Sequence, residues 1–271
     1  MSTDKQRVAL ITGGSRGIGR AIASRLAADG YRVFVTSRSA APGVIAPGIE
    51  LVKLNTTDEA SVLACVQTVI DKAGRIDVLM NSIGNGMIGA VEEVSEKEAR
   101  VVVEDLFWAA VRMIQAVLPG MREQGGGRIV SMSSVGGLMG FPFSAFYSAG
   151  KFALEGFCEA LHIEVKQFGI HVSLIEPFGV NTHVAGNVPM AARVLPAYGD
   201  TRHTVARDVE QSMRKGLAPD VVGQAVAGVL ADPSPRLRYL VGGPARVMST
   251  FLRLAPESLI TWVKRKMSKL P

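Results

Sequence analysis

An α/β fold, one doubly wound parallel sheet with helices on both faces in a single domain, is what this sequence predicts, on three observations. Short aliphatic runs alternate with helical periodicity, and a glycine-rich turn joins the first run to the first helix. A content of 48% hydrophobic and 20% charged residues is that of a chain with a large core, and 271 residues suit one α/β domain. Strands are expected at 8–12, 33–37, 51–54, 78–81, 128–131, 171–175 and 238–241. Helices are expected at 19–28, 59–72, 97–121, 149–168 and 219–230. Residues 40–48, AAPGVIAPG, are too rich in Pro and Gly for a helix and are expected as a loop. The weakly periodic 183–215 read as a substrate lid, and 244–271 as a helical extension of two amphipathic helices broken at Pro256.

The net charge of +6 comes from 30 Lys and Arg against 24 Asp and Glu. These cations are spread along the chain without a nucleic-acid motif, so no nucleic-acid partner is expected. Cys65 and Cys158 fall far apart in helical patterns and read as buried thiols without a disulfide. His162, His171, His183 and His203 lack metal-ligand spacing, and no metal site is expected. The first apolar run feeds the glycine turn directly, leaving no signal-peptide core, and no window reaches the roughly 20 apolar residues of a membrane span. The expected location is the cytoplasm.

The run Val8-Ala9-Leu10-Ile11 leads into Thr12-Gly13-Gly14-Ser15-Arg16-Gly17-Ile18-Gly19 and then a helix. Glycines there let the backbone approach a pyrophosphate, and the helix N-terminus supplies free N–H groups and the positive end of its dipole. The context is that of a Rossmann dinucleotide site. Where an NAD-preferring site places an acid, at the end of the second strand, this chain has Ser37 and Arg38. Arg38, with Arg16, suits a 2′-phosphate, so NADP, with NADPH over NADH, is expected.

Tyr147-Ser148-Ala149-Gly150-Lys151 sets a phenol and an ammonium four residues apart, on one helical face and about 6 Å along the axis. A nearby cation favours phenolate, so the tyrosine is expected to titrate below its usual pKa near 10. This YxxxK pair, the TGxxxGxG turn and a serine thirteen residues before the tyrosine together resemble the short-chain dehydrogenase/reductase family. The resemblance implies Tyr147 as general acid in reduction and general base in oxidation. It also implies Lys151 holding the nicotinamide ribose, and Ser134, rather than Ser131 or Ser133, polarising the carbonyl.

The same resemblance implies cofactor contacts from Thr12, Gly13, Ser15, Arg16, Gly17, Ile18, Gly19, Ser37 and Arg38. Further contacts are implied for Asn55 and Thr56 in a DVTD-like segment, for Asn81, Ser82, Ile83 and Gly84 in an NNAG-like one, and for Pro177, Val180 and Thr182 in a PGxVxT-like one. Four departures stand out. Asn55 replaces the usual Asp, Ser82 and Ile83 depart from NNAG, Phe178 takes a glycine place, and Leu106 stands where the family has an asparagine that holds a proton-relay water. Leucine cannot hold that water, and Asp105, turned by about 100° from it on a helix, is a poor substitute.

Val135, Leu138, Met139, Phe141, Phe178 and Met190, with Phe143, Val184 and Val188, are expected to line an apolar pocket for a lipophilic ketone, aldehyde or alcohol. FALEGFCEAL after Lys151 and RYLVG near residue 240 resemble the 17β-hydroxysteroid-dehydrogenase-like and retinol-dehydrogenase-like branch. The family dimerises through the helices placed here at 101–121 and 149–168, which implies a homodimer or homotetramer. Leu254, Leu259 and Trp262 beside Lys264, Arg265 and Lys266 leave two readings of the tail open, packing on the domain and peripheral membrane contact. The rival to an active enzyme is an NADP-binding regulatory or scaffold protein with faded catalysis, motivated by Leu106 and Phe178. Another reaction on the same fold, such as epimerisation, is a further alternative.

Overall fold

A computed structural model describes residues 6–182 and 187–267. Its strands are β1 (Val8–Thr12), β2 (Arg32–Ser37), β3 (Gly43–Ala46), β4 (Ile49–Lys53), β5 (Val78–Asn81), β6 (Gly127–Met132), β7 (Ile170–Pro177) and β8 (Arg238–Val241). They form one sheet in the order β3-β4-β2-β1-β5-β6-β7-β8, parallel except for β3. Strand order reverses between β1 and β5, which opens a crevice at their C-terminal ends where ligands bind in such sheets.

Successive strand residues face opposite ways, and both faces are covered. Leu10, Phe34, Leu79, Ile129 and Val172 pack on α2 (Glu59–Ala73), α4 (Ala109–Glu123) and α5 (Ala145–Glu164). Ala9, Ile11, Val35, Met80 and Ile175 pack on α1 (Gly17–Ala28) and α7 (Pro219–Ala231). Burial on both sides is why these strands read as continuous aliphatic runs rather than alternating ones. Among the described residues both cysteines are free and buried, and burial pushes each thiol up to about 12.

The chain departs from the sequence expectations at four places. Residues 40–48 are not a loop throughout, because Gly43–Ala46 pairs antiparallel with β4 across Pro47-Gly48, where Gly48 takes a φ of +72°. Pro and Gly argue against a helix but not against a short edge strand. The expected helix 97–121 is α3 (Glu96–Val103), a π-helical turn (Glu104–Trp108) and α4. Hydrophobic period alone does not reveal the wider turn inside it. The helix bearing Tyr147 starts at Ala145, earlier than expected, and a 3-10 turn at Lys166–Phe168 follows it. Within 183–215, Gly199–Arg214 is a regular helix, α6, after a 3-10 turn at Pro196–Tyr198.

The tail folds as α8 (Gly243–Leu254) and α9 (Glu257–Met267), with Pro256 between them. Leu254, Leu259 and Trp262 are exposed, while Ile260 and Val263 are half-buried. No helix among the described residues is long and apolar enough to cross a membrane.

Candidate active site

The glycine turn is built by backbone conformation. Gly13 and Gly17 take φ values of +66° and +56°, and a Cβ on Gly19 would lie 2.5 Å from the Gly13 carbonyl oxygen, so only glycine lets α1 start this close. The N-cap of α1, Arg16, makes no side-chain cap, and the first turn holds no acid. Free N–H groups and an uncompensated positive dipole end remain, which is the donor set a pyrophosphate requires. Thr12 Oγ1 accepts from the Ser82 N–H at 3.1 Å, tying the end of β1 to the segment after β5. The Asn81 side-chain amide donates to Ser131 Oγ at 3.2 Å, and the Thr182 methyl group lies 3.7 Å from the Cβ position of Gly17.

Ser37, Arg38, Asn55 and Thr56 stand together at the C-terminal ends of β2 and β4, where the Leu54 N–H reaches the Ser37 carbonyl at 3.0 Å. Ser15, Arg16 and Arg38 are exposed there. Ser37 Oγ accepts from the Ala40 N–H at 3.2 Å, and Asn55 Oδ1 accepts from Thr57 Oγ1 at 3.0 Å, so both side chains shape their local turns.

Ser134, Tyr147 and Lys151 line one cavity of about 390 Å³, together with Ile18, Ser82, Ile83, Gly84, Pro177, Val180 and Thr182. Ser134 Oγ accepts from the Gly136 N–H at 3.1 Å and is the hydrogen-bond partner of the Tyr147 phenol. The Lys151 ammonium donates to the Met132 carbonyl at 2.6 Å and lies 5.9 Å from the Tyr147 ring centroid. Burial pulls Lys151 down to about 8, with Glu155 one turn along opposing the shift. The phenol departs from the expected direction: burial pushes it above its ordinary value, and the Ser134 hydrogen bond offsets only part of that.

Leu106 lies in the π-helical turn and is 2% exposed. A Cβ on Gly84 would lie 2.6 Å from Leu106 Cδ2, and one on Gly150 would lie 2.9 Å from Leu106 Cβ. The leucine therefore fills the space between the NNAG-like segment and the helix carrying Lys151. Asp105 is not among the described lining residues. Burial raises its carboxyl above the ordinary range, with Arg38 opposing the shift and Glu104 adding to it.

Of the expected substrate wall, Val135, Phe141, Phe178 and Val188 line the cavity. Leu138 and Met139 do not: Met139 is 3% exposed inside the core, and Met190 is exposed with its backbone bridged to Ile88. Phe143 is buried and packs edge-on against Tyr198 at 6.0 Å. Val184 and His183 lie outside the described residues. Sequence reasoning missed Met87, Ile88 and Ser144 and, above all, the inner face of α6. The signal for that face is the helical spacing of 205, 208, 209, 212 and 213.

Residues 7–192 match the family model described as short chain dehydrogenase. The chain belongs to that family. A 3-ketodihydrosphingosine reductase of Bacteroides thetaiotaomicron is 35% identical over 244 residues, covering 89% of this chain and 90% of that protein. Human 17-beta-hydroxysteroid dehydrogenase type 1 is 37% identical over 253 residues, covering 86% of this chain and 76% of that one. A solved short-chain dehydrogenase of Streptomyces avermitilis superposes with a TM-score of 0.82 at 32% identity, covering 97% of this chain and 98% of that one. This short-chain dehydrogenase is accordingly an oxidoreductase between alcohol and carbonyl, on a fold that binds a nicotinamide dinucleotide.

Proposed function

We propose that this short-chain dehydrogenase interconverts a lipophilic ketone or aldehyde and its alcohol, prefers NADPH, and uses Tyr147 as general acid and base. One observation carries the reading: Ser134, Tyr147 and Lys151 share a largely apolar cavity with the glycine turn. Bound nicotinamide supplies or takes the hydride. The protein's own groups handle the carbonyl oxygen. Ser134 Oγ, already an acceptor from Gly136, keeps its O–H to polarise that oxygen through a hydrogen bond. The Tyr147 hydroxyl delivers the one proton that hydride addition requires, and burial, by keeping the phenol protonated, makes it an acid ready for reduction. Lys151 spends one N–H on the Met132 carbonyl and keeps two for ribose hydroxyls, its charge stabilising the phenolate that forms.

The absence of an acid at the end of β2, with Arg38 and Arg16 exposed beside the turn, supports NADPH. Relatives named for a ketosphingoid and a hydroxysteroid support an apolar substrate class. A cytoplasmic protein assembled as a homodimer or homotetramer completes the reading.

Steady-state kinetics on a panel of apolar ketones and aldehydes test it. Tyr147→Phe is expected to keep nucleotide binding, read by fluorescence titration, while losing turnover; undiminished turnover refutes the assignment. The wild-type kcat/KM is expected to favour NADPH over NADH, and Arg38→Glu to reverse the order, with NADH preference in the wild type as the contrary result.

A further inference from the structure

Val205, Asp208, Val209, Ser212 and Met213 of α6 face the cavity. Their spacing of i, i+3, i+4, i+7 and i+8 is that of a core-facing helical stripe, which is normally apolar throughout. Asp208 and Ser212 break it, one turn apart and side by side. Among the described lining residues, Asp208 and Lys151 carry charge, and Lys151 sits on another wall with its ammonium held by Met132. Asp208 is half-buried, and a carboxylate set among apolar side chains attracts a cation more strongly than one in open water.

We propose that Asp208, assisted by the Ser212 hydroxyl, is a subsite for a substrate ammonium, so that the preferred substrate is a lipophilic ketone carrying an amine within the span of the cavity. This rests on the proposed carbonyl chemistry at Tyr147. Asp208 also has a partner inside the protein. An ionised carboxylate has about four acceptor positions and can serve both.

The test compares a long-chain 2-amino ketone with the same ketone lacking the amine, each assayed with NADPH and NADH. A charge-assisted hydrogen bond corresponds to about a 10- to 100-fold preference in kcat/KM for the amino ketone. Asp208→Asn is expected to abolish that preference while leaving the plain ketone within about threefold, and Asp208→Glu to restore part of it. Equal losses on both ketones, or a wild type without preference, overturn the subsite and leave the carbonyl chemistry standing. A wild type that reduces neither ketone overturns the carbonyl chemistry, and the subsite with it. Inhibition of the wild type by a long-chain alkylammonium and by the matching alkanol gives a readout independent of the variant's folding. Tighter inhibition by the ammonium supports the subsite, and equal inhibition overturns it.

Discussion

Leu106 fills the space between Gly84 and Gly150 with hydrocarbon, beside the lysine expected to hold the cofactor ribose. Leu106→Asn places a polar group where water could be held, at a cost of about 1–3 kcal/mol for a buried amide short of partners. The expected outcome is a lower Tm with a higher kcat in reduction; an unchanged kcat means that proton supply does not depend on this position. The Tyr147 phenol gives a second prediction at this scale. Its pKa is raised, so the protonated acid is present below that value and lost above it. The reductive kcat is expected to stay level through neutral pH, while oxidation, which needs phenolate, climbs with pH. Lys151 adds a loss of cofactor affinity above about 8, where its ammonium gives up its proton. A pH profile in both directions checks all three. YxxxK revealed the two side chains but not the direction of the phenol shift, because burial is set by how the whole cavity closes.

A buried pair helps to fasten the segment before α6 and α6 itself to the rest of the domain. Glu93 is fully buried and accepts from the N–H groups of Ala90 at 3.0 Å and Leu195 at 2.9 Å, and it pairs with Arg202 of α6, which is 3% exposed. Burial alone would raise the Glu93 pKa, but the two amides and Arg202 outweigh it and hold the carboxyl below its ordinary value. A lowered folded-state value means the stabilisation is complete above the unfolded value of 4.5 and fades as pH falls through the folded one. Glu93→Ala leaves Arg202 buried without its partner, a loss of about 3–5 kcal/mol. Faster hydrogen exchange across 195–214 and a KM that rises more than kcat falls are expected. Unchanged exchange there would mean that the segment is held by other contacts. The strands and the glycine turn were legible because short β-branched runs and adjacent glycines are local signals. The π-helical turn was not, since periodicity blurs a single widened turn, and α6 was passed over because two of its five inward positions are polar.

Trp108 and Phe152 are 47% and 46% exposed, and Val101 and Ile163 are exposed on the same group of helices, α3 to α5. Exposed large apolar side chains on neighbouring helices are what the proposed subunit interface would bury. Sedimentation is expected to give a dimer or tetramer for the wild type and a monomer for the Trp108→Glu, Phe152→Glu double variant, and an unchanged assembly in that variant moves the interface elsewhere. Periodicity located these helices and resemblance implied their role, but which residues face outward depends on the turn at Glu104–Trp108.

At the opposite margin of the sheet, β3 is four residues long, bracketed by Pro42 and Pro47, with a register shift between Val44 and Ala46. An exposed strand edge is a template on which another chain can add itself. A short, irregular strand flanked by residues that cannot donate offers few places to begin. The stretch that looked like a mere loop thus works as a stop, keeping a long parallel sheet from polymerising edge to edge in a concentrated solution.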